Sequence, residues 1–357
     1  MTHTAETTLH YPLEDRLPEN MQAIEIVPGV RWVRMALPFA LDHINLWLLR
    51  DTQIGGNGQL REGWSIVDCC VDRPAAREQW EQIFSHCLDG LPVLRVLVTH
   101  MHPDHIGLAH WLCNRWQAPL WISATDYYSA RSAIYDTDAF GGESGADFYS
   151  AHGMSNPQFL EHVRSRDSYY ASLVPSLPSS FYRLLDGDEL QIGGRSWHCI
   201  SGYGHAPEHI ALHCPELNIL ISGDMVLPRI SANVSVHANE PEANPVALFM
   251  TSLKRYLTLP ADTLVLPSHG KPFIGLHARV QQLLSHHEDR LADILVASQS
   301  RRLSAADAVP ILFQRPLDTH QMTFAMGEAL AHLHYLWFKG QLERAQDADG
   351  VYRFGLR

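Results

Sequence analysis

Thr99-His100-Met101-His102-Pro103-Asp104-His105 packs three imidazoles and one carboxylate into six residues, and its reading decides the fold. The residues before it, 93–99, form a short and almost wholly apolar run rich in valine, the pattern of a strand buried on both faces. The polar cluster therefore sits on the loop that leaves the C-terminal end of a buried strand. A loop can turn all four side chains toward one point, which a regular strand or helix cannot do. Imidazole and carboxylate in this mixture suit Zn²⁺ and also Fe or Mn. Two ions need more ligands than the loop supplies, so the rest must come from other strand ends.

Three further positions meet that demand. His205 follows the strand-like stretch 197–201 in Gly202-Tyr203-Gly204-His205, Asp224 follows 219–222 in Ser222-Gly223-Asp224, and His269 follows 264–266 in Pro267-Ser268-His269-Gly270. Each reads as strand, turn of small residues, ligand, and glycine in such a turn lets the backbone bend sharply close to an ion. The ordered series HxHxDH, glycine-preceded His, Gly-Asp, Ser-His-Gly resembles the metallo-β-lactamase superfamily over residues 24 to about 275. The resemblance implies an αββα sandwich, with the site at one edge between two sheets. It also implies a first ion on His100, His102 and His205, a second on Asp104, His105 and His269, and Asp224 bridging the two. Asp104 has a plainer reading as the N-cap of a helix beginning near Gly107; the HxHxDH context favours the ligand.

Other residues carry expectations of lower rank. Asp68, in Ile66-Val67-Asp68-Cys69-Cys70, stands where the superfamily places an early-strand carboxylate in a motif resembling IDTG, and it is expected to orient a ligand histidine. The Cys69-Cys70 pair replaces the usual Thr-Gly and leaves the shape of that turn open. His209, in Gly204-His205-Ala206-Pro207-Glu208-His209, is read as a hydrogen-bonded structural residue rather than one that meets substrate with Glu208. His43 and Asn45 are read as a satisfied buried polar pair. Tyr203, Tyr127 and Tyr128 are candidate donors to a developing oxyanion, with simple packing the favoured alternative. His286-His287-Glu288-Asp289 sits in a helical pattern at adjacent positions that cannot face one point, and is read as a solvated face.

The surrounding pattern is α/β. Residues 24–49 alternate with period two around a Pro28-Gly29 turn, the next strands flank a Gly55-Gly56-Asn57-Gly58 turn, and 77–88 has helical spacing. Residues 126–185 break the rhythm with tyrosines, a glycine cluster and a helical stretch 157–173, as expected of a helical insertion that shapes a pocket. From 276 the chain reads as mainly helical with a last strand at 351–354. The expected organisation is an arm 1–23, a metallo-β-lactamase domain 24–275 and a helical, winged-helix-like C-terminal domain 276–357 that buttresses the first or pairs subunits as a homodimer.

Composition excludes more than it selects. The 357 residues are 46% hydrophobic and 18% charged, ordinary globular material. A formal net charge of -12 gives no broad attraction to nucleic acid or anionic membranes. The N-terminal stretch lacks the basic and apolar regions of a signal peptide, and the six cysteines form no CxxC pair; reduced thiols and a cytoplasmic location are expected. The 22 histidines suit metal binding only through their positions. The function expected is a dinuclear metal-dependent hydrolase, most simply a zinc enzyme, in which hydroxide from a water shared by two ions attacks a small ester, thioester or lactone while Asp104 or Asp224 steadies it. The alternatives are a phosphodiesterase or ribonuclease of the same superfamily, which needs a basic groove, and sulfur or oxygen chemistry at a single iron, for which a full second ligand set is superfluous.

Overall fold

The period-two pattern at the start does form a hairpin: β1 (Ala23–Val27) and β2 (Val30–Ala36) pair antiparallel across Pro28-Gly29 in a computed structural model that describes residues 9–55, 58–136, 140–166 and 168–357. β3 (His43–Ile54) and β4 (Leu60–Val67) extend the sheet antiparallel; Gly56 and Asn57 of the expected turn, and residues 1–8 of the expected arm, lie outside the described residues. α1 (Pro74–Cys87) starts with a proline, whose missing N–H costs nothing in the first turn, and buries Trp80, Ile83, Phe84 and Cys87. β5 (Val93–Leu97) is buried throughout and runs parallel to β4.

Beyond β5 come α2 (Pro103–Ile106), α3 (Ala109–Trp116) and β6 (Leu120–Ser123), the last parallel to β5. The inserted stretch supplies α4 (Ala124–Tyr135), α5 (Gly142–Ala151), α6 (Pro157–Arg164) and α7 (Tyr169–Leu173). Here the expectation needs correction twice. The helix expected over 157–173 is broken, because Ser168 takes φ +53, a left-handed conformation that no α-helix continues through. The stretch also ends in β7 (Tyr182–Leu184), which joins the first sheet parallel to β6.

The second sheet holds β8 (Glu189–Ile192), β9 (Arg195–Gly202), β10 (His209–Cys214), β11 (Ile219–Gly223), β12 (Leu264–Pro267) and β13 (Phe273–Ile274), with α8 (Pro245–Arg255) between β11 and β12. Its spatial order is β13-β12-β11-β10-β9-β8, while the first sheet runs β1 to β7 in sequence. Trp32, Trp47, Leu97, Trp197, Ile210 and Ile221 fill the space between the sheets. Separate apolar layers seat α1 and α3 on the first sheet, and α8 with the C-terminal helices on the second. These layers make the αββα sandwich.

The C-terminal region is α9 (Leu276–Ser298), α10 (Ala305–Leu312), α11 (Thr319–Phe338) and the hairpin β14 (Leu342–Gln346) with β15 (Tyr352–Leu356). Leu303 bridges to Phe354, so the order is helix, bridge, helix, helix, hairpin, that of a winged helix. Reciprocal capping boxes, Ser304 with Asp307 and Asp318 with Gln321, start α10 and α11. The solvated reading of the His286-His287 cluster is half wrong. His287 is fully buried against α11 and its Nδ1 lies 3.1 Å from His332 Nε2, whereas Glu288 and Asp289 are exposed. Among the described residues no helix is long and apolar enough to cross a membrane.

Candidate metal centre

Parallel pairing places the chemistry. β4 and β5 run side by side in one sheet and β11 and β12 in the other, so Asp68, His100, Asp224 and His269 emerge at strand ends on a common edge. Two backbone bonds tie the sheets together there: Ile210 N donates to Thr99 O at 2.8 Å, and Asn45 N to Ser268 O at 2.7 Å. The HxHxDH segment then turns into α2, so Asp104 lies inside the first helical turn rather than at its N-cap, and its carboxylate reaches His269 Nε2 at 3.4 Å.

All seven expected ligands converge. Ligand atoms of His100, His102 and His205 form one group, those of His100, His105 and Asp224 another, and those of Asp104, His105 and His269 a third, each within 4.8 Å internally. Asp224 straddles them: its Oδ2 is 3.3 Å from His205 Nε2, and its Oδ1 is 3.5 Å from His105 Nε2 and 3.4 Å from His269 Nε2. His100 Nε2 and His102 Nδ1 are 3.0 Å apart. Four ligands placed tetrahedrally at about 2.0–2.1 Å from a zinc ion stand roughly 3.3 Å from one another, so these spacings fit ions between them.

The far side of each ring settles which nitrogen is free. His205 Nδ1 donates to Asn233 O at 2.7 Å and His269 Nδ1 to His43 O at 2.7 Å; a carbonyl only accepts, so the proton is on Nδ1 and the Nε2 lone pair is open. His105 Nδ1 meets Asp68 Oδ2 at 2.8 Å, and His100 Nδ1 meets the Thr99 hydroxyl at 3.0 Å. Nε2 of His105, His205 and His269 and Oδ1 of Asp224 are buried without a hydrogen-bond partner. Four orphaned polar atoms aimed at one point are costly unless a cation satisfies them.

Electrostatics agree. Burial pulls His105 down, but Asp104, Asp68 and Asp224 outweigh it and raise its pKa to about 9; His269 is likewise lifted by Asp224 and Asp104 against its burial. Asp104 is held at about 2, His105 and His269 overcoming the effect of burial. Burial and the neighbouring imidazole of His205 push His102 down to about 3, and His100 falls with it. The carboxylates thus demand positive charge, while one half of the site presents neutral imidazoles, the form that ligates metals.

Asp68 stands behind His105: one oxygen lies 2.8 Å from His105 Nδ1, and the other accepts from Thr99 N at 2.8 Å. The Cys69-Cys70 departure keeps a tight turn, since Asp68 and Cys70 both take positive φ, +64 and +71. His209 is buried, and its Nε2 accepts from Asp224 N at 3.2 Å, which fixes the backbone of Asp224. Asn45 donates to Pro267 O and Gly270 O, and His43 Nε2 accepts from Gly270 N, so this pair clamps the turn that carries His269. Of the tyrosines, Tyr127 donates its hydroxyl to Pro178 O and Tyr128 is exposed, while the backbone N–H of Tyr203 donates to Ser252 Oγ.

Two supports escaped the sequence reading. Asp126, buried, accepts from Met101 N at 2.7 Å and Glu208 N at 2.5 Å, joining the HxHxDH loop to the loop of His205. Its only sequence signal is the Ser123-x-x-Asp126 spacing of a helix start. Tyr170 donates to Met101 O at 2.5 Å from the inserted helices. The cysteines offer no rival nucleophile: all six are free and buried, and burial pushes Cys70, Cys113 and Cys199 up to about 12.

Comparison with known proteins agrees with this geometry. The family described as "Metallo-beta-lactamase superfamily" matches residues 58–269. The chain belongs to that superfamily. A second family, "Metallo-beta-lactamase-like, C-terminal domain", matches residues 291–357. A Bacillus subtilis protein named "Probable metallo-hydrolase YqjP" is 22% identical over 324 residues, 90% of this chain and 96% of that one. The hydroxyacylglutathione hydrolase of Hyphomonas neptunium is 26% identical over 186 residues, 50% of this chain and 69% of its own. The crystal structure of a β-lactamase domain protein from Burkholderia ambifaria superimposes with a TM-score of 0.93 at 52% identity, covering 99% of this chain and 100% of that one. A metallo-β-lactamase family protein from Thermus thermophilus gives 0.73 at 28%, covering 93% and 100%. This superfamily member is a metal-dependent hydrolase.

Proposed function

We propose that the chain holds two divalent ions, zinc by the chemistry of its ligands, and hydrolyses a small ester, thioester or lactone. The observation that carries this reading is the set of unpartnered lone pairs on His105, His205, His269 and Asp224, within three overlapping ligand groups, with the two oxygens of Asp224 turned toward His205 on one side and His105 and His269 on the other. His100, His102 and His205 would hold one ion, Asp104, His105 and His269 the other, with one oxygen of Asp224 facing each group. The ions would supply Lewis acidity and bring the pKa of a water toward neutrality. The chain's own part is to fix seven ligand side chains before substrate arrives, and to keep two ionised carboxylates, Asp104 and Asp224, where they would hold a water or hydroxide in place.

A thioester heads the substrate panel because a relative is named hydroxyacylglutathione hydrolase. Elemental analysis of protein purified without added metal, followed by thioesters, lactones and phosphodiesters with Asp224→Ala as control, tests the reading. About two ions per chain and carbonyl-ester turnover lost by at least roughly 10³-fold in Asp224→Ala are expected, several kcal/mol of transition-state stabilisation. One iron per chain, or turnover confined to phosphodiesters, overturns it.

A further inference from the structure

We infer that Glu328, on the long C-terminal helix α11, is a positioning residue for the metal ligand His205, so that the C-terminal region completes the centre. The path is short and fully hydrogen-bonded. His205 Nδ1 donates to the peptide oxygen of Asn233 at 2.7 Å. The Asn233 side chain is held at both ends: its Nδ2 donates to Glu328 Oε2 at 3.1 Å, and its Oδ1 accepts from Ser235 Oγ at 2.6 Å. Asn233 belongs to no helix or strand, so these contacts fix where its carbonyl points.

The seat on the helix is close. Val236 N donates to Gly327 O at 3.1 Å, and a Cβ on Gly327 would stand 2.7 Å from the Ser235 side chain. Only glycine lets the loop lie on α11 at this depth, which brings Glu328 within reach of Asn233. The helix is itself immobilised: Ala325, Met326, Ala329 and Leu330 are buried, and His332, one turn beyond Glu328, bonds its carbonyl at 2.8 Å and is wedged against His287.

This inference rests on the two-ion reading, and its test separates the two. Metal content is measured after dialysis against chelators of graded strength, with circular dichroism and thermal melting as checks on folding. Glu328→Leu removes the acceptor, and one of the two ions, that of His205, is expected to leave at roughly tenfold weaker chelation, since partners of ligand histidines contribute about 10–100-fold to affinity. Glu328→Gln keeps an acceptor oxygen and should behave as wild type. Asn233→Asp, which sets two carboxylates face to face, should lose the same ion, and combining it with Glu328→Gln should restore it, because the glutamine amide can donate to the new carboxylate. Wild-type chelator sensitivity in folded Glu328→Leu, loss of both ions together, or no recovery in the double variant overturns the proposal. A wild-type chain that binds a single ion refutes the two-ion reading instead, and the same series is then scored on that ion.

Discussion

Gly223 precedes Asp224 at φ +53, and a Cβ there would collide with His209 Nε2 and stand 2.5 Å from Cε1. Gly223→Ala therefore imposes three costs. Holding alanine in the left-handed region costs about 1–2 kcal/mol. His209 is fully buried, so displacing its ring into packed surroundings costs about 1–3 kcal/mol. Once it moves, Asp224 N loses its acceptor, about 1–3 kcal/mol more. Because the last two overlap, the expected destabilisation is roughly 2–6 kcal/mol, a large share of the ~5–15 kcal/mol of a typical fold, and up to about 10 °C in Tm. The assay is thermal and urea unfolding of Gly223→Ala, His209→Ala and the double variant, with ions added and with chelator. Removing the imidazole removes the collision, so the double variant should be more stable than the sum of the singles by more than ~1 kcal/mol. A single variant within about 0.5 kcal/mol of wild type, or simple additivity, would refute the account of why glycine stands there.

Three other outcomes are expected. Asp68→Asn keeps the acceptor for Thr99 N but turns an amide N–H toward His105 Nδ1, so the His105 proton moves to Nε2, the proposed ligand atom; in the proposed two-ion centre the ion assigned to Asp104, His105 and His269 should bind roughly 10–100-fold more weakly in a metal titration, the one assigned to His205 being spared. Burial raises Asp126 to about 6 despite its backbone donors, so the folded chain takes up a proton relative to the unfolded chain between pH ~4 and ~6. The stability this group contributes is full below about pH 4 and is lost as pH rises through 6, by an amount on the order of 3 kcal/mol; the difference between wild-type and Asp126→Asn unfolding profiles should show that slope, and a flat difference would sink the assignment. Asn45→Ala should loosen the Pro267–Gly270 turn by about 2 kcal/mol for the two lost donors, read as lower Tm and, in the proposed centre, as easier chelation of the ion assigned to His269.

All seven converging side chains were legible in the linear chain, because each follows a strand-like run and a tight turn, and strand ends in a layered sheet fold meet at one edge. The layer order itself came only through the resemblance, since a buried apolar run does not say which sheet it joins. Local pattern misjudged α6 and α7, where one left-handed serine interrupts a helical periodicity, and β14, whose sequence Leu342-Glu343-Arg344-Ala345-Gln346 lacks the apolar alternation of a strand.

What only the tertiary structure decided is which groups stand behind the ligands. Asp126, Tyr170, Asn233 and Glu328 lie in an insertion, a loop and a C-terminal helix, separated from the HxHxDH segment by up to 228 positions. Sequence fixes a residue's chemistry and its nearest neighbours along the chain, but a hydrogen bond depends on position to within tenths of an ångström. That position is set by how whole layers pack, so a carboxylate that steadies a distant carbonyl looks, in the sequence, like any other glutamate on a helix.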